Sequence, residues 1–303
     1  MLFRSRKADC QFMTFPTLQQ LWDDLTHQLN QAQLSFGHGA VDASSEALWI
    51  LSSALKFPPE DTLEAMDMTL DQPVIDQAQQ WAHERITTRK PLAYIVGDAW
   101  LMGIPFYCDE RSIVPRSFIA ELIVDGHLEP WLPPGATVLD LCTGNGSLAI
   151  LLALACPDIN LSAADISYPA LALAAKNIDR HGLVKRIELF QGDLWDALPE
   201  NNESCFDLIV CNPPYVNSLT MSRLPQEYLA EPQIALAGGK DGMDLIRKII
   251  QEAGTYLKQD GALVLEIGNE AAHFIAAFPQ IPITWLPVSA GDDQVLLIRK
   301  EDL

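Results

Sequence analysis

From Thr137 onward, short apolar runs alternate with helical stretches, and this alternation restricts the fold more than any other feature of the chain. The first run, Thr137 to Leu141, follows the break at Pro133-Pro134-Gly135. A helix is predicted from about Gly146 to Leu154, a strand at Leu161 to Asp165 and a helix from Pro169 to His181. Strands at Ile187 to Gln191 and Phe206 to Cys211 come next, then a helix at Met243 to Leu257 and a strand at Ala262 to Ile267. Ile283 to Val288 and Gln294 to Arg299, around the Gly291-Asp292 turn, read as an antiparallel pair. Strands joined through helices pair in parallel and leave both sheet faces to be covered by helices. The expectation is an α/β domain that binds ligands at the carboxyl ends of its strands, where the strand order reverses.

Ahead of this domain the period changes from strand-like to helical. Leu18, Leu21, Trp22, Leu25 and Leu29 fall at the i, i+3, i+4 spacing of one apolar stripe. Leu48, Leu51 and Leu55 repeat it, as do Ile75, Ala78, Ala82 and Ile86, with breaks expected at Pro58, Pro59, Pro73 and Pro91. Tyr94 to Val114 mixes aromatic and β-branched residues with Gly97, Gly103 and Pro105 and reads as a short hairpin. Residues 1–92 are thus read as a helical domain, 93–115 as a hairpin linker and 116–303 as the α/β domain.

A chain of 303 residues, 49% of them hydrophobic, can bury a sizeable core. Its longest apolar stretch, Leu148 to Cys156, has nine residues, far below the roughly 20 a membrane-crossing helix needs. Met1 to Phe15 holds Arg4, Arg6 and Lys7 without an apolar run behind them, so a cytoplasmic location is expected. The six cysteines, Cys10, Cys108, Cys142, Cys156, Cys205 and Cys211, form no CxxC pair and no zinc-like spacing with histidine. No disulfide framework or metal is implied, and Cys205 and Cys211 read as small buried hydrophobes. A net charge of −20 repels phosphate backbones and suits a basic partner, so bulk nucleic-acid binding is disfavoured.

Chemistry gathers at the strand ends. Asp140-Leu141-Cys142-Thr143-Gly144-Asn145-Gly146-Ser147 is a glycine turn feeding a helix, and Gly144 and Gly146 lack the Cβ that would keep the backbone away from a ligand. Asp165, with Ile166 behind it, ends the second strand, where a carboxylate can take both hydroxyls of a ribose. Asp193 ends the third and is placed to accept from an adenine amino group while Leu194 packs on the ring. A nicotinamide dinucleotide would use the same turn and acid, so the fourth strand decides. It ends in Asn212-Pro213-Pro214-Tyr215, where two prolines fix the backbone and leave the Asn212 side-chain oxygen and the Pro213 carbonyl as stiff acceptors. Such a pair can grip both hydrogens of an NH₂ on a planar carbon, with Tyr215 packing on the planar group. None of the six histidines is given a role: His27 and His83 lie on polar helix faces, and His127, His181 and the others read as solvated.

Asn212 to Tyr215 together with Asp140 to Gly146 resembles the class I S-adenosylmethionine-dependent methyltransferases that act on planar NH₂ nitrogens. Within them, Tyr94-Ile95-Val96-Gly97, Phe106-Tyr107, Asp109-Glu110-Arg111, Val114-Pro115-Arg116-Ser117 before Glu121, and Glu231-Pro232, Leu236, Gly238-Gly239 and Asp241-Gly242 are similar to the glutamine-directed protein methyltransferases. The resemblance covers roughly residues 93–299. Cys142 and Ser117-Phe118-Ile119 look like the branch that modifies the third protein of the large ribosomal subunit rather than the one that modifies release factors. The resemblance implies a Rossmann-like, mostly parallel seven-stranded sheet. It implies S-adenosylmethionine as cofactor, with Asp140, Cys142, Thr143, Gly144, Gly146, Asp165, Ile166, Asp193, Leu194, Asn212 and Arg116 around it, and Asn212, Pro213, Pro214 and Tyr215 as the catalytic group. Arg116 is read equally as an ion-pair partner. The partner implied is a glutamine-containing loop of that ribosomal protein, and residues 1–115, with eight basic and fifteen acidic side chains, would attract a basic protein. Methylation of release factors, amino-adenine methylation of nucleic acid and a non-catalytic binding module are the alternatives.

Overall fold

In a computed structural model of the protein, residues 15–199 and 203–303 are described. Cys10 and all of the Met1 to Phe15 segment except Phe15 lie outside the described residues. The chain divides into two compact units. The smaller holds residues 15–36 and Ala40–Thr88, and the larger Gly37–Gly39 and Arg89–Leu303.

The smaller unit consists of α1 Leu18–Gln31, α2 Ala43–Leu55, α3 Pro59–Glu64 and α4 Gln72–Thr88. Thr17 and Asp42 begin α1 and α2 with reciprocal capping boxes, which satisfy amide donors that a helix start leaves free. Leu18, Leu21, Leu25 and Leu29 are buried as their spacing predicts. The stripe expected on α2 is displaced: Ala43, Glu46, Ala47, Ile50 and Leu51 are buried, while Leu48 and Leu55 are half-buried. On α4, Arg85 is buried in place of the expected Ile86. One contact explains both shifts, because Arg85 Nε donates to Glu46 Oε1 at 2.5 Å inside the bundle. Long-range pairing of opposite charges thus puts two polar residues on faces that hydrophobic spacing assigns to leucine and isoleucine.

The larger unit takes in the hairpin, which is shorter than its sequence suggests. Leu92–Val96 is a helical turn, α5, ended by Gly97 in the left-handed region, and only β1 Asp98–Leu101 and β2 Ile104–Tyr107 pair. The sheet strands are β3 Thr137–Leu141, β4 Asn160–Asp165, β5 Ile187–Gln191, β6 Phe206–Cys211, β7 Leu257–Glu266, β8 Thr284–Val288 and β9 Gly291–Arg299. Helices α6 Ile119–Val124, α7 Ser147–Ala155, α8 Tyr168–Arg180, α9 Ser218–Met221, α10 Asp244–Tyr256 and α11 Ala271–Ala277 connect and cover them. The expected β7 starts earlier, at Leu257, and its pairing with β6 shifts register between Phe206 and Leu208. α6, α9 and α11 are too short to show a helical period.

The strand order β5-β4-β3-β6-β7-β9-β8 is that of a Rossmann-like, mostly parallel seven-stranded sheet, with β9 antiparallel to β7 and β8. Both faces are buried. Val138, Leu208 and Val210 join the apolar cluster with α7, while their neighbours Leu139, Ile209 and Cys211 join the one with α10. The chain runs outward from β3 to β5 and then returns to place β6 beside β3, so the order reverses between β3 and β6 and a cleft opens at their carboxyl ends. Among the described residues, no helix is long and apolar enough to cross a membrane.

Candidate functional site

At that reversal a cleft opens whose empty space, counted out to the solvent at its mouth, is about 810 Å³. Eight of the residues singled out from the sequence line it: Cys142, Gly144, Asp165, Ile166, Asp193, Leu194, Asn212 and Pro214. A smaller cleft of about 350 Å³ adjoins it. Cys142, Gly144 and Asn212 line both, whereas Thr143 and Arg116 line the smaller one alone. Asn212, at the end of β6, therefore stands between two clefts.

The turn after β3 explains the geometry. Gly144 has φ 58, and a Cβ on it would stand 2.9 Å from Ser112 Oγ, so glycine keeps the wall open. Cys142 takes φ 62, a left-handed backbone that costs a non-glycine residue about 1–2 kcal/mol, and Leu194 does the same at φ 51. Strained residues of this kind gather at ligand sites. Gly146 serves a different need from the one its spacing suggests. It faces neither cleft, and an added Cβ would stand 3.2 Å from Ala174 Cβ, so it lets α7 pack on α8.

Asp140 also faces neither cleft. Its Oδ2 accepts from Thr143 Oγ1 at 2.6 Å and Ala149 N at 3.0 Å, which makes it the internal brace of the turn. Burial pushes its carboxyl up to about 7, against the hydrogen bonds from Thr143 and Ala149 that lower it. Asp165 lies in the cleft with each oxygen partly engaged: Oδ2 accepts from Gly144 N at 2.8 Å and Oδ1 from Ser167 N at 2.8 Å. Burial raises its carboxyl and those backbone donors pull it down. Each oxygen retains a second lone pair. Asp193 is exposed at the rim, 3.6 Å from Lys248 Nζ.

Arg116 is an ion-pair partner. It donates to Glu231 Oε1 at 2.5 Å and Oε2 at 2.7 Å, and its guanidinium lies 5.6 Å from the Tyr228 ring centre. Pro213 is buried, and Tyr215 faces neither cleft, its hydroxyl donating to Glu266 Oε1 at 3.2 Å. Two further expectations need correction. His38 is buried rather than solvated, with Nε2 3.5 Å from Glu231 Oε2. Cys205 is half-buried and donates to the Glu203 carbonyl at 3.4 Å, while Cys211 is fully buried.

Sequence reasoning missed Ser112 and Ile113, which line both clefts, and Ile234 and Leu245, which supply apolar wall to the larger. Ile234 is exposed in the fold, and nothing in its local sequence marks it as part of a cleft. The donor set suits a nucleoside-bearing cation: a carboxylate at Asp165, a second at Asp193, apolar walls from Ile166, Leu194 and Ile234, and a turn open at Gly144.

A family model described as "Methyltransferase small domain" matches residues 126–239. A ribosomal protein uL3 glutamine methyltransferase of Burkholderia pseudomallei is 46% identical over 297 residues, 95% of this chain and 96% of that one. Proteins of the same description from Bordetella pertussis and Neisseria gonorrhoeae are 47% identical over 294 residues and 41% over 279. The Bordetella alignment spans 95% of this chain and 96% of that one, and the Neisseria alignment 91% and 92%.

Proposed function

Because the chain belongs to the ribosomal protein uL3 glutamine methyltransferase family, we propose that it methylates the side-chain amide nitrogen of a glutamine in that large-subunit protein, with S-adenosylmethionine as donor. The observation that carries this is Asn212, held at the end of β6 between two adjoining clefts. S-adenosylmethionine, when bound, would supply an electrophilic methyl group on a sulfonium; transfer breaks the methyl–sulfur bond, S-adenosylhomocysteine leaves, and the alkylated amide nitrogen gives up one proton. Asp165 holds the ribose hydroxyls, Asp193 and Leu194 take the adenine, and Cys142 and Gly144 let the backbone approach. Asn212 Oδ1 and the Pro213 carbonyl accept the two amide hydrogens of the glutamine.

An amide nitrogen attacks poorly because its lone pair is delocalised into the carbonyl. Two acceptors on its hydrogens orient it and bind more strongly as it gains positive character, which lowers the barrier rather than only tightening binding. Alignment in such a site supplies on the order of 7–11 kcal/mol. Ile166, Leu194, Ile234 and Leu245 keep the cleft apolar.

The glutamine lies in a loop of the substrate protein, the helical N-terminal domain reads that protein, and the reaction takes place in the cytoplasm. Asp23, Asp24, Asp61, Glu64, Asp67 and Asp71 are exposed on the smaller unit, where the basic residues within 15–88 are Lys56 and the buried Arg85. A basic ribosomal protein would be drawn to such a surface, whereas bulk nucleic acid would be repelled.

Isotope-labelled donor incubated with purified uL3, release factors and ribosomal RNA, followed by mass spectrometry, tests the function. One methyl on a uL3 glutamine is expected; label on a release factor, on adenine or on nothing overturns it. For the donor site, Asp165→Ala is expected to weaken S-adenosylmethionine binding by about 1.5–3 kcal/mol, the loss of charge-assisted hydrogen bonds. Unchanged affinity by calorimetry would remove Asp165 from the ribose.

A further inference from the structure

Tyr215 closes the turn that begins at Asn212, and its ring sits in a seat built by residues distant in the chain. The ring rests on Gly268, where an added Cβ would stand 2.4 Å from Cε2. Its hydroxyl donates to Glu266 Oε1 at 3.2 Å, while Oε2 of the same carboxylate accepts from Ser117 Oγ at 2.6 Å and Phe118 N at 2.8 Å. Ser117 lines the smaller cleft beside Asn212. One buried carboxylate at the end of β7 therefore joins the turn to Ser117 in the wall of that cleft.

The neighbouring contacts fix the same stretch. Asn217 Nδ2 donates to Glu270 Oε1 at 2.6 Å. A Cβ on Gly238 would stand 2.7 Å from the Tyr215 backbone, and one on Gly242 2.3 Å from its carbonyl oxygen. If packing alone mattered, an apolar residue in place of Glu266 would avoid burying a carboxylate, which is costly unless its geometry is used. Here the carboxylate spends its hydrogen-bonding capacity on three donors from two separate segments.

We propose that Glu266 is a positioning residue, which through Tyr215 fixes the angle at which the Asn212 and Pro213 oxygens meet the acceptor amide. This rests on the assignment of Asn212 to the glutamine amide made above. Tyr215 belongs to the same device through its hydroxyl. A reacting group displaced by about 1 Å loses up to 10²-fold in rate, so an anchor of this kind acts on turnover more than on binding.

Tyr215→Phe, Glu266→Gln and the double variant test this. Each is followed by kcat and KM for uL3, by calorimetry with S-adenosylmethionine, by thermal unfolding, and by the side-chain amide NMR signal of Asn212 in protein without donor. Tyr215→Phe is expected to lower kcat about tenfold or more with donor affinity unchanged. The double variant should be no slower than the slower single one, and the Asn212 signal should shift or broaden in all three. Wild-type kcat in a folded Tyr215→Phe, or losses that multiply in the double variant, overturns the proposal. So does a lowered unfolding temperature with kcat unchanged, the result of a purely structural bond. If Glu266→Gln fails to fold, Tyr215→Phe alone still decides between these outcomes. If wild-type protein methylates no glutamine, it is the functional assignment that fails, and the Asn212 signal still reports whether the anchor holds the turn.

Discussion

Asn212→Ala is expected to lower kcat by about 10²–10³-fold, the loss seen when one preorganised charge-stabilising group is removed from an active site, while S-adenosylmethionine binds nearly as before. The asymmetry follows from where the residue sits. Asn212 lines both clefts, but Asp165, Asp193, Leu194 and the turn at Cys142 and Gly144, proposed above to hold the donor, line the larger cleft and are left in place by the substitution. Alanine keeps the backbone that precedes Pro213 and removes only the side-chain acceptor. Asn212→Asp retains an acceptor oxygen and should turn over faster than Asn212→Ala, a ranking that a role in backbone shape alone would not produce. Single-turnover transfer of labelled methyl to uL3, alongside donor calorimetry, separates these effects. An alanine variant that methylates at close to the wild-type rate would remove Asn212 from the chemistry.

The parts of this site that were legible in the sequence are those set by local backbone chemistry. β3, β5 and β6 fall at the predicted residues because each is a short apolar run ended by a polar or glycine-bearing turn. Asp165, Asp193 and Asn212 reach the cleft because strand ends in a parallel sheet converge there. The sequence failed where a side chain has two ways to face and a remote residue chooses. Gly144 and Gly146 look alike in the turn, but Ala174 on α8 makes the second a packing glycine. After two prolines, Tyr215 faces inward because Gly268 leaves room for its ring and Glu266, 51 residues away, takes its hydroxyl. Arg116 finds its partner 115 residues along the chain, and Glu46 meets Arg85 across 39. Helical spacing carries no sign of either pair, which is why α2 buries a displaced face and why α4, after burying Ile75, Ala78 and Ala82 as expected, ends its stripe on Arg85 in place of Ile86.

The pair beside the smaller cleft has a large consequence for stability. Glu231 has no exposed side-chain surface and accepts from Val114 N at 3.0 Å as well as from both Arg116 nitrogens, with His38 Nε2 at 3.5 Å. Burial by itself would raise its carboxyl. Arg116 and His38 outweigh that and hold it at about 2, below the ordinary 4.5. A carboxylate depressed in the folded state stabilises the fold fully above its unfolded value and loses that contribution as pH falls toward the folded value. Glu231→Gln leaves the Arg116 guanidinium beside a neutral partner, and breaking one side of a buried pair costs about 3–5 kcal/mol. The depression itself corresponds to roughly 3 kcal/mol, in agreement. Denaturant unfolding at pH 7 should show that full loss, and the gap between wild type and variant should close as pH drops from about 4.5 toward 2, because wild type alone takes up a proton at this site on unfolding. If the two fall in parallel through that range, the pair contributes nothing particular to the fold. A gap that closes places Arg116, in the wall of the smaller cleft, under the control of one buried charge, and ties the integrity of that cleft to it.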